Sequence, residues 1–188
     1  MKDNHQKPEN PTVTDIEWKQ LTFTRDKRDA DMRRVLDSIP LFDNLNIRDW
    51  RELTELFHRR EFTDQEIVFE IGTPGLGMYI IIEGQVTILG SNGSNQVEIA
   101  RLGQGDFFGE MSLVDEINRS ATAMTVGPTR LIGIFRPQLR NLMQQHPRLG
   151  LKLMEKLSQV IAKRLREADR KLSECRAGMV QDWDNVDS

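Results

Sequence analysis

The chain has a single cysteine, Cys175, in 188 residues. A lone thiol excludes an internal disulfide framework, and it excludes zinc or iron–sulfur centres built on several thiolates. Histidine is also scarce. His5, His58 and His146 are scattered, whereas a metal site needs converging ligands, so each reads as an ordinary surface or partly buried side chain. Long apolar runs are missing. The longest clean one covers residues 78–82, far short of the roughly 20 residues that span a bilayer. The first residues, MKDNHQ, contain no apolar signal core. A net charge of −3 offers no general attraction to nucleic acid or to an anionic membrane. No nucleophile–base pair, phosphate-binding Walker loop or metal cluster stands out, so the expectation is a cytoplasmic protein that binds rather than catalyses.

What is present is a core flanked by polar ends. Hydrophobic residues make up 38% and charged residues 29%, which suits one globular domain with extensions. Residues 1–37 read as a charged N-terminal extension, disordered to about residue 14 and helical from about 26 to 37. A second helix is expected over about 46–57, with Trp50, Leu53, Leu56 and Phe57 as its buried stripe. The pattern then turns to strands, at 61–63, 66–71, 77–89, 96–102 and 120–135, punctuated by turns at 72–75, 91–95 and 127–128. Tyr79, Ile81, Val86, Ile88 and Ile134 are expected fillers of the interior. This is an α+β chain: a β-barrel or jelly roll of about eight strands, N-terminal helices and a long C-terminal helix. A short helix around 139–143 breaks at His146 and Pro147. The long helix follows over about 148–177, with Gly178 as its stop and 178–188 as an acidic tail. The central unit is 38–147.

The densest chemistry lies between residues 105 and 123. Gly109 allows a close backbone approach. Met111, Ser112 and Leu113 read as a short helical turn whose N–H groups face an anion. Arg119 supplies a planar, permanently charged fork for phosphate oxygens. Glu110 would repel a phosphate but can accept a hydrogen bond from a ribose hydroxyl. A ligand with both groups close together, such as a cyclic nucleotide, satisfies this set.

FGEMSL (108–113), five residues, then RSATA (119–123) resembles the phosphate-binding cassette of cyclic nucleotide-binding domains. These are the sensor domains of cyclic-AMP receptor proteins, of cyclic-nucleotide-dependent kinases and of cyclic-nucleotide-gated channels. IPLFDNL (39–45) resembles the family's leading helix-turn, and GTPGLGMYIIIEG (72–84) its paired-strand glycine pattern. The resemblance covers residues 38–172. It implies that Arg119 and Ser120 hold the exocyclic phosphate, that Glu110 accepts from the ribose 2′-hydroxyl, and that amides at Gly109, Glu110, Met111 and Ser112 complete the cradle. Ala121 is a tight-packing position beside it. It also implies a lid: ligand favours one position of the long helix, which contacts the base. Near the expected place, Arg164 could stack on the base or bond its edge, or simply belong to a solvated basic face. Where the family associates threonine with guanine preference this chain has Ser120, which favours cAMP over cGMP. Leu76 stands where an aspartate is common, and Gln65 replaces a common turn glycine.

Three outputs stay open. One is a stand-alone cyclic nucleotide sensor, without a DNA-binding half, acting on a protein partner. Another is a degenerate fold-mate serving as a ligand-free interaction module, which intact Glu110 and Arg119 oppose; a bland reading of the site itself is that these two simply pair across a loop. The third is a nucleic-acid regulator using basic residues 163–171, which the net charge and the lack of a reader helix oppose. Met154, Leu157, Ile161, Leu165, Ala168, Leu172 and Cys175 recur at threes and fours. That seam over 154–175 suits a homodimer of paired long helices, or packing on the chain's own barrel.

Overall fold

The computed structural model describes residues 19–20, 27–92 and 95–184. The expected disorder to residue 14 and the tight turn at Asn92 and Gly93 fall outside them or at their edge. Among these residues are five helices and seven strands: β1 (Lys19–Gln20), α1 (Lys27–Asp37), α2 (Ile47–Thr54), β2 (His58–Phe62), β3 (Ile67–Phe69), β4 (Gly77–Asn92), β5 (Asn95–Leu102), β6 (Phe107–Phe108), α3 (Met111–Val114), β7 (Thr122–Phe135), α4 (Arg136–Gln145) and α5 (Pro147–Asp184). A 3₁₀ turn at Pro40–Phe42 joins α1 to α2.

The strands form one antiparallel sheet in the order β1-β2-β7-β4-β5, with β3 also on β7 and β6 also on β4. The long strands β4 and β7 are its spine. Their alternation explains the apolar run 78–82. Met78, Ile80 and Ile82 point to a core shared with the helices. Tyr79 and Ile81 point to a second core inside the roll, with Phe62, Val68, Phe69, Val86, Phe108, Ala123 and Leu131. A strand buried on both faces has no polar face to show, so its pattern reads as a continuous run. The fold is the α+β jelly roll with flanking helices that the sequence leads one to expect.

The helices close one side of the roll. At the start of α2, the Asn46 side chain accepts from the Asp49 amide at 2.9 Å, and Asp49 accepts back from the Asn46 amide. This reciprocal cap fixes the helix start. Trp50, Leu53, Leu56 and Phe57 are buried as expected, although α2 itself ends at Thr54 and the last two lie just beyond it. Leu149, Leu153 and Leu157 of α5 enter the same core. Lys152 of α5 donates to Asp49 at 2.8 Å, and this bond, ahead of the cap, holds the Asp49 carboxyl below its ordinary range. A carboxyl depressed on folding adds stability above the aspartate range, which is lost as pH falls through its lowered value. Asp49→Asn is therefore expected to lose about 0.5–1 kcal/mol at neutral pH, the size of a partly exposed ion pair. In thermal melts the gap from the parent chain should close below about pH 4.

Two local expectations differ from the structure. Gly178 does not stop α5, which runs on to Asp184. A glycine inside a helix weakens it by only about 1 kcal/mol relative to alanine, and its neighbours continue the helix. The seam of α5 also has two fates. Leu157 is buried and Met154 and Ile161 are partly buried against the roll, whereas Leu165 and Leu172 are 61% and 53% exposed. Cys175's side chain lies outside the described set. Gln65 adopts a left-handed φ of 56°, the conformation for which a turn glycine is the usual choice.

Candidate functional site

Between β6 and β7 the chain passes through Gly109, Glu110, α3 and a loop to Arg119. Gly109 has φ +72°, and a Cβ there would lie 2.7 Å from Arg119 Nη1 and 3.3 Å from the Gly77 carbonyl. Only glycine lets this backbone and the guanidinium share the space. The loop after α3 is laced to the β3–β4 connection. Arg119 N–H donates to the Thr73 carbonyl and Gly72 N–H to the Arg119 carbonyl, each at 2.8 Å. Thr122 Oγ1 accepts from the Ile71 amide at 3.0 Å.

Arg119 is 6% exposed. Its Nη1 donates to Ser112 Oγ at 2.6 Å and to the Gly109 carbonyl at 3.2 Å, and its Nη2 donates to the Gly77 carbonyl at 2.7 Å. The guanidinium lies over the Phe69 ring, 4.0 Å from its centroid, with the Tyr79 ring at 5.5 Å. Its Nε is buried with no partner. Burial depresses the guanidinium's pKa, and Tyr79 and then Glu110 oppose that shift. Burial in turn raises the Tyr79 phenol's pKa. The aromatic bed and the carbonyl fork fix the plane of the arginine, which is what recognition of a bidentate anion requires.

Glu110 is also 6% exposed. Its ion-pair partner is Arg164 of α5, Nη1 to Oε2 at 2.8 Å. Arg164 Nη2 donates to the Phe107 carbonyl at 2.6 Å, and its guanidinium sits 4.7 Å from the Phe107 ring centroid. Among the described ion pairs, then, Glu110 pairs with the long helix and not with Arg119 across the loop. Arg164, 40% exposed at its side chain, thus grips the rim of the cassette.

The remaining expected residues gather here with different exposure. Ser112 is buried, Met111 is 59% exposed, Ser120 is exposed and Ala121 half-buried. The expected helical turn is present as α3, of 4 residues. The Ser112 amide, however, already donates to the Gly109 carbonyl at 3.2 Å, so one of the expected cradle amides is engaged within the turn. Leu76, at the position where the family often has aspartate, is 50% exposed. Sequence reasoning missed Arg136. It donates from Nε to the Ser112 carbonyl at 2.7 Å, and from Nη2 to the Gly75 and Asp115 carbonyls at 2.7 and 2.6 Å. An arginine just before Pro137 is an ordinary helix-start pattern and gives no hint of partners so far back in the chain. Among the described residues no group of three or more His, Cys, Asp or Glu side chains converges. No helix among them is long and apolar enough to cross a membrane.

A glycine that seats an arginine, a buried carboxylate close by and a short helix between them inside a jelly roll define a known class. Residues 59–146 match the family model described as the cyclic nucleotide-binding domain. The chain is 34% identical to the cyclic AMP receptor protein of Thermus thermophilus over 134 residues, 71% of this chain and 60% of that protein. It is 28% identical to the cAMP-dependent protein kinase regulatory subunit of Mycosarcoma maydis over 109 residues, 58% of this chain and 21% of that protein. A crystal structure of a cyclic nucleotide-binding domain from Methylobacillus flagellatus matches with a TM-score of 0.68 and 27% identity, covering 77% of this chain and 83% of that one. Over residues 59–146 the chain carries a match to the cyclic nucleotide-binding domain. It spans 60% and 21% of the lengths of the two curated relatives.

Proposed function

We propose that this chain is a cAMP sensor whose ligand state is passed through α5 to a protein partner or to a second copy of itself. The observation that carries the reading is the seating of Arg119, a buried guanidinium held against Phe69 with the Gly109 backbone closed over it. Burying a charge in this way is expensive without a purpose, and the phosphate of a cyclic nucleotide supplies one. In this reading Arg119 and Ser120 hold the phosphate, Gly109, Met111 and Ser112 shape the cradle, Ala121 packs beside it, and Glu110 takes the ribose hydroxyl. Arg164 links Glu110 to the lid. Ser120 in place of threonine supports cAMP over cGMP, and both curated relatives described above carry cyclic AMP in their names. Calorimetric titration with cAMP and cGMP tests the reading. Saturable binding with cAMP tighter supports it, and absence of heat together with failure to displace a fluorescent analogue defeats it.

One observation favours a ligand-free interaction module instead. Arg119 is already bonded to Gly77, Gly109 and Ser112, and Glu110 to Arg164, so the polar ends of the cradle have partners without ligand. The same titration separates the two readings.

The homodimer is proposed through the outer part of α5. Leu165 and Leu172 are exposed, with Ala168 between them, one stripe at coiled-coil spacing. Leu165→Glu with Leu172→Glu should halve the mass seen by light scattering while leaving nucleotide affinity within about twofold, a change worth under 0.5 kcal/mol. A parent chain that is already monomeric would remove the dimer from the proposal.

A further inference from the structure

The first residue of α4 is tied to the cradle in a way that the ligand contacts do not require. Arg136 is only 14% exposed at its side chain. Its guanidinium gathers carbonyls from three places: Gly75 before β4, Ser112 inside α3 and Asp115 at the end of α3. Two of these are C-terminal carbonyls of α3, which have no partner within a helix of this length. Its own amide donates to the Leu76 carbonyl at 2.9 Å. Ser112 therefore stands between two arginines. Its hydroxyl accepts from Arg119 and its carbonyl from Arg136, at 2.6 and 2.7 Å. Gly75 completes the joint, because a Cβ there would lie 2.1 Å from Ser112 Oγ.

We infer that Arg136 is a positioning residue of the nucleotide cradle. It caps α3 from α4, so that the geometry of the cassette and the position of α4, and through α4 the lid helix α5, change together. The inference deepens the sensor reading and rests on it for its ligand. A cap on α3 holds Ser112 where Arg119 needs it. A shift of α3 on ligand binding must either carry α4 with it or break bonds that leave carbonyls unpaired. α4 runs to Gln145 and α5 begins at Pro147, so movement of α4 reaches the lid without a flexible connection. The surface pairing with Glu116 is a separate feature. Glu116 is 67% exposed, at 2.6 Å from Arg140 and 3.4 Å from Arg136, and such exposed pairs contribute little.

The test uses the full chain with Arg136→Lys, which keeps the charge but cannot span three carbonyls, beside Glu116→Gln, which removes only the surface pair. In ligand-free protein, hydrogen exchange at the Leu113 and Asp115 amides should be at least tenfold faster in Arg136→Lys, with β4 and β7 unchanged. With cAMP, that variant should bind about tenfold more weakly. Spin labels on native Cys175 and an added Glu98→Cys should show a ligand-induced distance change in the parent background, and little change in Arg136→Lys at saturating cAMP. Glu116→Gln should match the parent throughout. Unchanged α3 exchange in Arg136→Lys, a parent-like distance change, or the same defects in Glu116→Gln would each overturn the inference. If the parent chain itself fails to bind cAMP, the sensor reading falls, and the exchange measurement alone then decides whether Arg136 holds α3.

Discussion

Replacing Arg119 by alanine is expected to weaken cyclic nucleotide binding by about a hundredfold or more. Hydrogen bonds to charged groups contribute up to about 3 kcal/mol, and 1.4 kcal/mol is a factor of ten. The phosphate would lose its buried cationic fork and face a cradle in which buried Glu110 repels it. Alanine also removes the arginine donor from the Gly77 carbonyl and Ser112 Oγ, leaves the Gly109 carbonyl with the Ser112 amide alone, and empties the space above Phe69. Stability should therefore fall as well, by a few kcal/mol. Arg119→Lys separates the effects. Lysine fills much of the space and keeps the charge, but it offers one ammonium instead of a planar fork. It should recover most of the melting temperature and only a small part of the affinity. Calorimetry and thermal melting on the three proteins check this. Parent-like affinity in either variant would remove Arg119 from the ligand site.

The sequence makes the cassette legible because its chemistry is local. Glycine, carboxylate, helical turn and arginine follow one another between residues 109 and 119, so spacing alone brings them together. The roll is legible from its turns and strand runs, and α2 from its apolar stripe. What does not show is non-local. Nothing near Arg164 signals that Glu110 is its partner, and nothing near Arg136 points to α3. Both contacts depend on how α4 and α5 return to the roll. β1 and β6, of two residues each, are too short for any period to register. The seam of α5 reads as one stripe, yet the roll covers only its first part. Heptad spacing identifies a face suited to burial and does not say which surface buries it. Gly178 shows the same limit in reverse, since a stop signal of about 1 kcal/mol yields to a helix already propagating.

The second large effect concerns the pair of Glu110 and Arg164. Glu110 holds Arg164 through one carboxylate oxygen, Oε2, and an ionised carboxylate has two oxygens that accept. The other could take the ribose hydroxyl while the ion pair persists, and in the proposed sensor ligand and lid would then meet on the same side chain. Glu110→Ala removes both functions. It should weaken cAMP binding by roughly thirtyfold, about 2 kcal/mol, within the range for a hydrogen bond to a charged group. Arg164→Ala removes only the partner. The buried carboxylate then loses the cation that keeps it in place, but Arg164 is 40% exposed, so its loss should be nearer tenfold, about 1.4 kcal/mol. Residues in direct contact do not act additively. The double variant should bind only slightly more weakly than Glu110→Ala, because Arg164 acts on the ligand through Glu110. If the two losses simply add, Arg164 touches the ligand independently, as a base contact would. If Arg164→Ala binds more tightly than the parent, the ion pair competes with ribose and holds the lid against the ligand. Hydrogen exchange along α5 gives the complementary readout. Protection near residue 164 should drop in both single variants without ligand, and cAMP should restore it in Arg164→Ala less than in the parent chain, since the bridge from ribose through Glu110 to the helix is broken.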